Sequence, residues 1–152
     1  IIYPLGVSVL ESEYQLPCWI RNLRVLNDDN ELLNKFPAEL MIEIVDDNED
    51  CNLFNMSINS QSPFRLKHMS TWAATLDKLI HDKNKVFVIS AGNIKKQTIR
   101  AFINSGQNYP DYLSEPFCRI ANPGQSSFSL VVGSVNHSSF EDENWISLGN
   151  EK

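Results

Sequence analysis

The feature that most constrains this chain is Lys85-Val-Phe-Val-Ile-Ser90, a nearly continuous apolar run that stops abruptly at Ala91-Gly-Asn93. Such a run predicts a parallel strand covered on both faces. A stripe of Leu66, Met69, Trp72, Ala73, Leu76, Leu79 and Ile80 precedes it at steps of three and four, predicting one amphipathic helix over Leu66–Asp82 that packs on a core. Upstream, Leu53-Phe-Asn-Met-Ser57 reads as a short strand followed by a loop from Ile58 to Phe64. Leu40, Met41 and Ile44 recur at helical spacing from Pro37 to Val45, and Pro37 suits a first helical turn, where its missing N–H costs nothing. The cluster Asp46-Asp-Asn-Glu-Asp50 sets negative charge against the dipole at that helix's C-terminus, so the helix is expected to stop before it. Arg21-Asn-Leu-Arg-Val-Leu26 alternates and runs into Asn27-Asp-Asp-Asn30, the pattern of a strand and a turn. Ile94 to Pro123 is weakly periodic and polar, which predicts a long loop at about 94–123 with a helical turn near Thr98–Ile103. Ser127 to Val135 reads as the last strand.

Strands alternating with helices imply βαβ units with right-handed crossovers, hence an α/β fold of three layers around a mostly parallel sheet. A chain of 152 residues buries roughly 70% of its unfolded surface and needs no disulfide or metal to hold a core, so one domain is expected. No internal repeat is present.

Charge and composition exclude several partners. Thirteen basic residues against nineteen acidic give a formal charge of −6, with no basic stripe beyond Lys95 and Lys96, so a nucleic-acid phosphate backbone is not the expected partner. The longest apolar runs fall far short of the ~20 residues of a membrane helix, and no membrane partner is expected. Cys18, Cys51 and Cys118 lie far apart with no CxxC spacing, which suggests reduced structural thiols and favours a cytoplasmic origin. Two sequons, Asn55-Met-Ser57 and Asn136-His-Ser138, point the other way. The start Ile1-Ile-Tyr3 has neither an initiator Met nor the order of a signal peptide, so the chain reads as part of something longer.

In an open parallel sheet, ligands bind beyond the carboxyl ends of the strands. That rule selects the turn after Leu26, the corner Ser57-Ile-Asn59 and the corner Ala91-Gly-Asn93. If the strands containing Leu53 and Val88 are neighbours, the last two corners lie side by side as wall and floor of one cleft. No cofactor is expected. Calcium is conceivable at Asn27-Asp-Asp-Asn-Glu31 or Asp46-Asp-Asn-Glu-Asp50, but neither has the spacing and central Gly of an EF-hand, and solvated acidic loops are the simpler reading.

Phe54-Asn-Met-Ser57, an amphipathic helix, and Val86-Phe-Val-Ile-Ser-Ala-Gly-Asn93 together resemble the central part of subtilisin-like serine proteases. Asn122-Pro-Gly124, followed by Phe128-Ser-Leu-Val-Val-Gly-Ser-Val135, resembles the family's Pro-containing turn and the strand after it. Leu23-Arg-Val-Leu26 is similar to the strand before the family's substrate-binding loop. The resemblance covers roughly residues 20 to 140. It implies that Asn93 donates its side-chain amide to the oxyanion of the tetrahedral intermediate, where a fixed dipole stabilises developing charge without reorganising. It also implies that the backbone of Ser57, Ile58 and Asn59 pairs with an extended peptide or protein substrate, while Ser90, Ala91 and Gly92 form the opposite wall of the specificity pocket. Asn30, Glu31 and Leu32 correspond loosely to a second substrate-pairing strand. The family usually has Gly at the position of Asn59 here.

The family's Asp, its His in a His-Gly context and its Ser in a Gly-Thr-Ser context have no counterpart in this chain. His68, His81 and His137 read as surface or capping residues, His81 beside a helix C-terminus. In the family's chain order, Asp and His lie upstream of such a segment and Ser lies downstream. The expected function is therefore that of a segment of a serine endopeptidase, inactive alone and completed by the remainder of its parent catalytic domain. The alternatives are a pseudoprotease that binds extended peptides, and an unrelated flavodoxin-like or receiver-like binding module. The absence of any GxGxxG loop around Gly92 weighs against the last.

Overall fold

A computed structural model describes residues 18–29, 31–32, 36–60 and 62–133. The chain divides into two units, residues 1–34 and 35–152. In the first, Arg21–Leu26 is not a strand: Leu26 makes one antiparallel bridge to Leu32, closed by Asn27 N–H donating to the Glu31 carbonyl at 2.8 Å. The alternation is there, but a strand needs a neighbour for its ladder, and among the described residues only this tight turn supplies one. The Asn27 Oδ1 accepts from the N–H groups of Asp29 (3.0 Å) and Glu31 (2.8 Å), so the polar cluster builds a turn.

The second unit runs α1 (Pro37–Asp47), β1 (Leu53–Met56), α2 (Thr71–Lys83), β2 (Val86–Ser90), α3 (Lys96–Asn104), two short 3-10 turns and β3 (Leu130–Val132). The three strands form a parallel sheet in the order β1-β2-β3, with Met56 opposite Ile89 and Val88 opposite Leu130. This is a partial α/β domain of the expected class. Its core is Leu40, Met41 and Val45 of α1, Trp72, Ala73, Leu76 and Leu79 of α2, and Met56, Phe87 and Ile89 from one face of the sheet. Phe54 stacks on Phe87 with ring centroids 5.0 Å apart.

α1 begins with Pro37 and continues through Asp47, past the expected stop. Asp46 meets Lys83 of α2 at 3.3 Å, and the Asn48 side-chain amide donates to the Ile44 carbonyl at 2.7 Å, which offset the unfavourable charge at that end. The turn into β1 is held by Lys85, whose buried ammonium donates to the carbonyls of Glu49 (2.7 Å) and Cys51 (2.8 Å).

α2 starts at Thr71 rather than Leu66, because the Ser70 hydroxyl caps it by accepting from the Ala73 N–H at 3.0 Å. Leu66 and Met69 lie before the helix and are exposed. The helix ends at Asn84 in the left-handed conformation, with His81 and Lys83 in its last turn.

The segment 94–123 is more ordered than a long loop. α3 spans Lys96–Asn104, and 3-10 turns follow at Asp111–Ser114 and Pro116–Cys118. The polar residues around Ile99, Phe102 and Ile103 hide a helical spacing, and the helix gains its anchor from Phe102 stacking on the buried ring of Tyr112 at 6.0 Å. That contact comes from a later turn.

Only one face of β2 is fully covered: Phe87 and Ile89 are buried, whereas Val86 is exposed and Val88 half-buried. β3 is shorter than the expected Ser127–Val135. Residues 127–129 are drawn into a turn by Asp77, and residues beyond 133 lie outside the described set. The three cysteines are free thiols. Among the described residues no helix is long and apolar enough to cross a membrane.

Candidate functional site

β1 and β2 are adjacent and parallel, so the corners that follow them emerge side by side at the carboxyl edge of the sheet. Ser57 is exposed and Ile58 and Asn59 are half-buried. Ser90, Ala91 and Gly92 are half-buried, and Asn93 is exposed, its side-chain amide making no hydrogen bond among the described residues. The two corners meet directly where the Asn59 Nδ2 donates to the Ser90 Oγ at 2.8 Å. All seven residues are neutral, so what these residues themselves offer to a charge between the corners is their dipoles.

A third segment backs both corners. Ser60 N–H donates to the Asn122 carbonyl at 2.7 Å, Phe64 N–H donates to the Ile120 carbonyl at 3.1 Å, and Pro63 and Ala121 form an antiparallel bridge. On its other side, Ala121 N–H donates to the Ala91 carbonyl at 2.9 Å, while Ala91 N–H donates to the Val132 carbonyl at 2.9 Å. Gly92 takes φ +96°, and a Cβ there would lie 2.5 Å from that of Ala121. Only glycine fits both the backbone and the space. The Asn122–Pro123 peptide bond is cis, as is Tyr109–Pro110. Ser70 Oγ, besides capping α2, donates to Asn122 Oδ1, tying that turn to the helix start.

Two supports of the site, Ala121 and Asp77, have no local signature in the sequence, whereas a third, Asn122, lies in the Asn122-Pro-Gly124 turn that the resemblance already marked. The carboxylate of Asp77, on α2, accepts from Ser126 Oγ at 2.6 Å and from the N–H groups of Ser127 and Phe128, each at 3.1 Å, which fixes the entry to β3. The Ser70 cap did carry a signal, a serine just before the buried helical stripe, but the apolar spacing of Leu66 and Met69 outweighed it.

Of the histidines, His68 precedes α2 and is exposed, and His81 meets its neighbour Asp82 at 2.9 Å on the surface. His137 and Asn30 lie outside the described residues, and Glu31 and Leu32 belong to the first unit. Burial pushes the Cys118 thiol above its ordinary value, helped by the carboxylate of Glu115. Among the described residues, no group of three or more His, Cys, Asp or Glu side chains could hold a metal ion.

The profile of the subtilase family matches residues 20–148. Over 102 residues the chain is 32% identical to an uncharacterized protein, y4bN, of Sinorhizobium fredii, an alignment covering 65% of this chain and 24% of that protein. The chain thus spans about a quarter of the length of that curated relative. No solved structure matches the chain at a significant level.

Proposed function

This chain belongs to the subtilase family, and from that premise we propose that it is the central segment of a serine endopeptidase's catalytic domain. In this reading it supplies the oxyanion donor and the substrate-binding corners, while the remainder of the parent domain supplies the Asp, His and Ser of the triad. The observation that carries the reading is the pair of corners side by side at the carboxyl edge of one parallel sheet. The backbone leading into Asn93 is pinned at Ala91 and closely packed at Gly92, which supports a donor carried on a fixed segment of the corner. No loop hydrogen bond engages the backbone of Ser57, Ile58 or Asn59 among the described residues, which leaves that edge open to pair with an extended peptide.

The chemistry divides accordingly. A serine elsewhere attacks the scissile carbonyl carbon and its proton passes to a histidine elsewhere. The carbonyl oxygen becomes an oxyanion, which accepts a hydrogen bond from the Asn93 amide. An oxyanion donor without nucleophile and base leaves only weak residual catalysis, so this chain alone is inactive. The exposed apolar face of the sheet, with Leu53 63%, Val86 43%, Leu130 59% and Val132 54% exposed, supports a neighbouring layer contributed by the rest of the parent domain.

The test is fluorophosphonate labelling of the full-length natural protein, with mass mapping of the modified residue. A labelled serine outside residues 1–152 supports the protease. Folded protein that takes no label points instead to a pseudoprotease, and a label within these residues overturns the alignment.

A further inference from the structure

The side-chain bridge between the two corners bears on substrate size. Asn59 Nδ2 donates to Ser90 Oγ at 2.8 Å, joining the two corners, and both residues are half-buried. The backbone just after each end of the bridge is held. The residue after Asn59 is fixed by Ser60 N–H on the Asn122 carbonyl at 2.7 Å. The residue after Ser90 is fixed on both sides, by Ala91 N–H on the Val132 carbonyl and by Ala121 N–H on the Ala91 carbonyl, each at 2.9 Å. Behind that wall Gly92 is packed so closely on Ala121 that no carbon atom could be added between them. A large side chain entering between the corners must therefore rotate Asn59 away and strand a half-buried amide, or stay outside.

We propose that the Asn59–Ser90 hydrogen bond closes the pocket between the corners to all but the shortest side chains, making the parent enzyme selective for glycine or alanine on the acyl side of the scissile bond. This rests on the reading of the two corners as the walls of the substrate pocket. Asn59 and Ser90 are the specificity-determining pair, and the selection is steric.

The experiment uses the full-length protein and a series of peptide p-nitroanilides identical except for the last residue, glycine, alanine, leucine or phenylalanine. The expected wild-type result is a kcat/KM for alanine about 10–100-fold above that for phenylalanine. Asn59→Gly is expected to shrink that ratio about tenfold or more by opening the space. Ser90→Ala, which removes only the acceptor and serves should Asn59→Gly fail to fold, is expected to shrink it less but in the same direction. A wild-type preference for leucine or phenylalanine overturns the inference while leaving the protease reading intact. So does an unchanged ratio in both variants. Cleavage of none of the four, together with no fluorophosphonate label, overturns the protease reading and the inference with it.

Discussion

Gly92 lies against Ala121 so closely that a Cβ on the glycine would sit 2.5 Å from the alanine's own. This single approach links the corner after β2 to the turn that leads into Pro123, and it is possible because Gly92 has no Cβ; its backbone separately adopts φ +96°. Gly92→Ala should therefore suffer twice, from the backbone and from overpacking. Gly106, at φ +89° with open space for 4 Å around the point a Cβ would occupy, separates the two effects. Gly106→Ala should cost about 1–2 kcal/mol in urea unfolding of the full-length protein, and Gly92→Ala about 1–3 kcal/mol more. Equal costs would show that Ala121 gives way.

Asn93 has a side-chain amide with no hydrogen bond among the described residues and sits beside a corner held rigidly by its neighbours. In the full-length protein Asn93→Ala should lower kcat about 10²–10³-fold with little change in KM, a magnitude known from a protease of this same family. Asn93→Asp should lose at least as much, since a carboxylate repels the oxyanion. Steady-state kinetics on one peptide substrate decides it, and an unaltered kcat removes Asn93 from the proposed role.

Asp77 gathers Ser126 Oγ and the N–H groups of Ser127 and Phe128 onto one carboxylate. Asp77→Ala strands these donors and should cost about 2–4 kcal/mol in denaturant unfolding. Asp77→Asn keeps one oxygen, and Oδ1 takes two of the three bonds, so it should cost less. If alanine and asparagine are equally mild, water replaces the carboxylate.

The raised pKa of Cys118 has a direct readout. Burial disfavours the thiolate, and Glu115 repels it, so at a given pH the folded protein holds less thiolate at this residue than the unfolded chain does. Iodoacetamide modification of Cys118, followed by peptide mass mapping, should show its pH midpoint shifted upward in the native protein relative to the same cysteine in urea. Coincident midpoints would contradict the burial of this thiol.

Much of the frame was legible in the sequence because burial leaves a period. Val86–Ser90 announced β2, and Trp72, Ala73, Leu76 and Leu79 announced the buried face of α2. The adjacency of the two corners was conditional on the strands containing Leu53 and Val88 being neighbours, and the pairing of β1 with β2 meets that condition. Elsewhere the deciding contact lay far along the chain. Only a helical turn near Thr98–Ile103 was legible within α3, whose full length is anchored by Tyr112 from a later turn, and Arg21–Leu26 alternates like a strand but among the described residues gains no ladder. α1 outran its acidic end because Lys83 answers Asp46.

The sequence by itself determined the succession α1, β1, α2, β2, the parallel sheet and the family, since side-chain periods of 2 and 3.6 and short ordered motifs are local properties that survive without coordinates. Only the tertiary structure decided which side chains meet. Asn59 and Ser90 are 31 residues apart, and Asp77 and Ser126 are 49 apart. The physical reason is that a hydrogen bond or a close packing contact depends on distances of a few ångströms between distant segments. Those distances are fixed by strand register and turn geometry together, and no single stretch of residues encodes them.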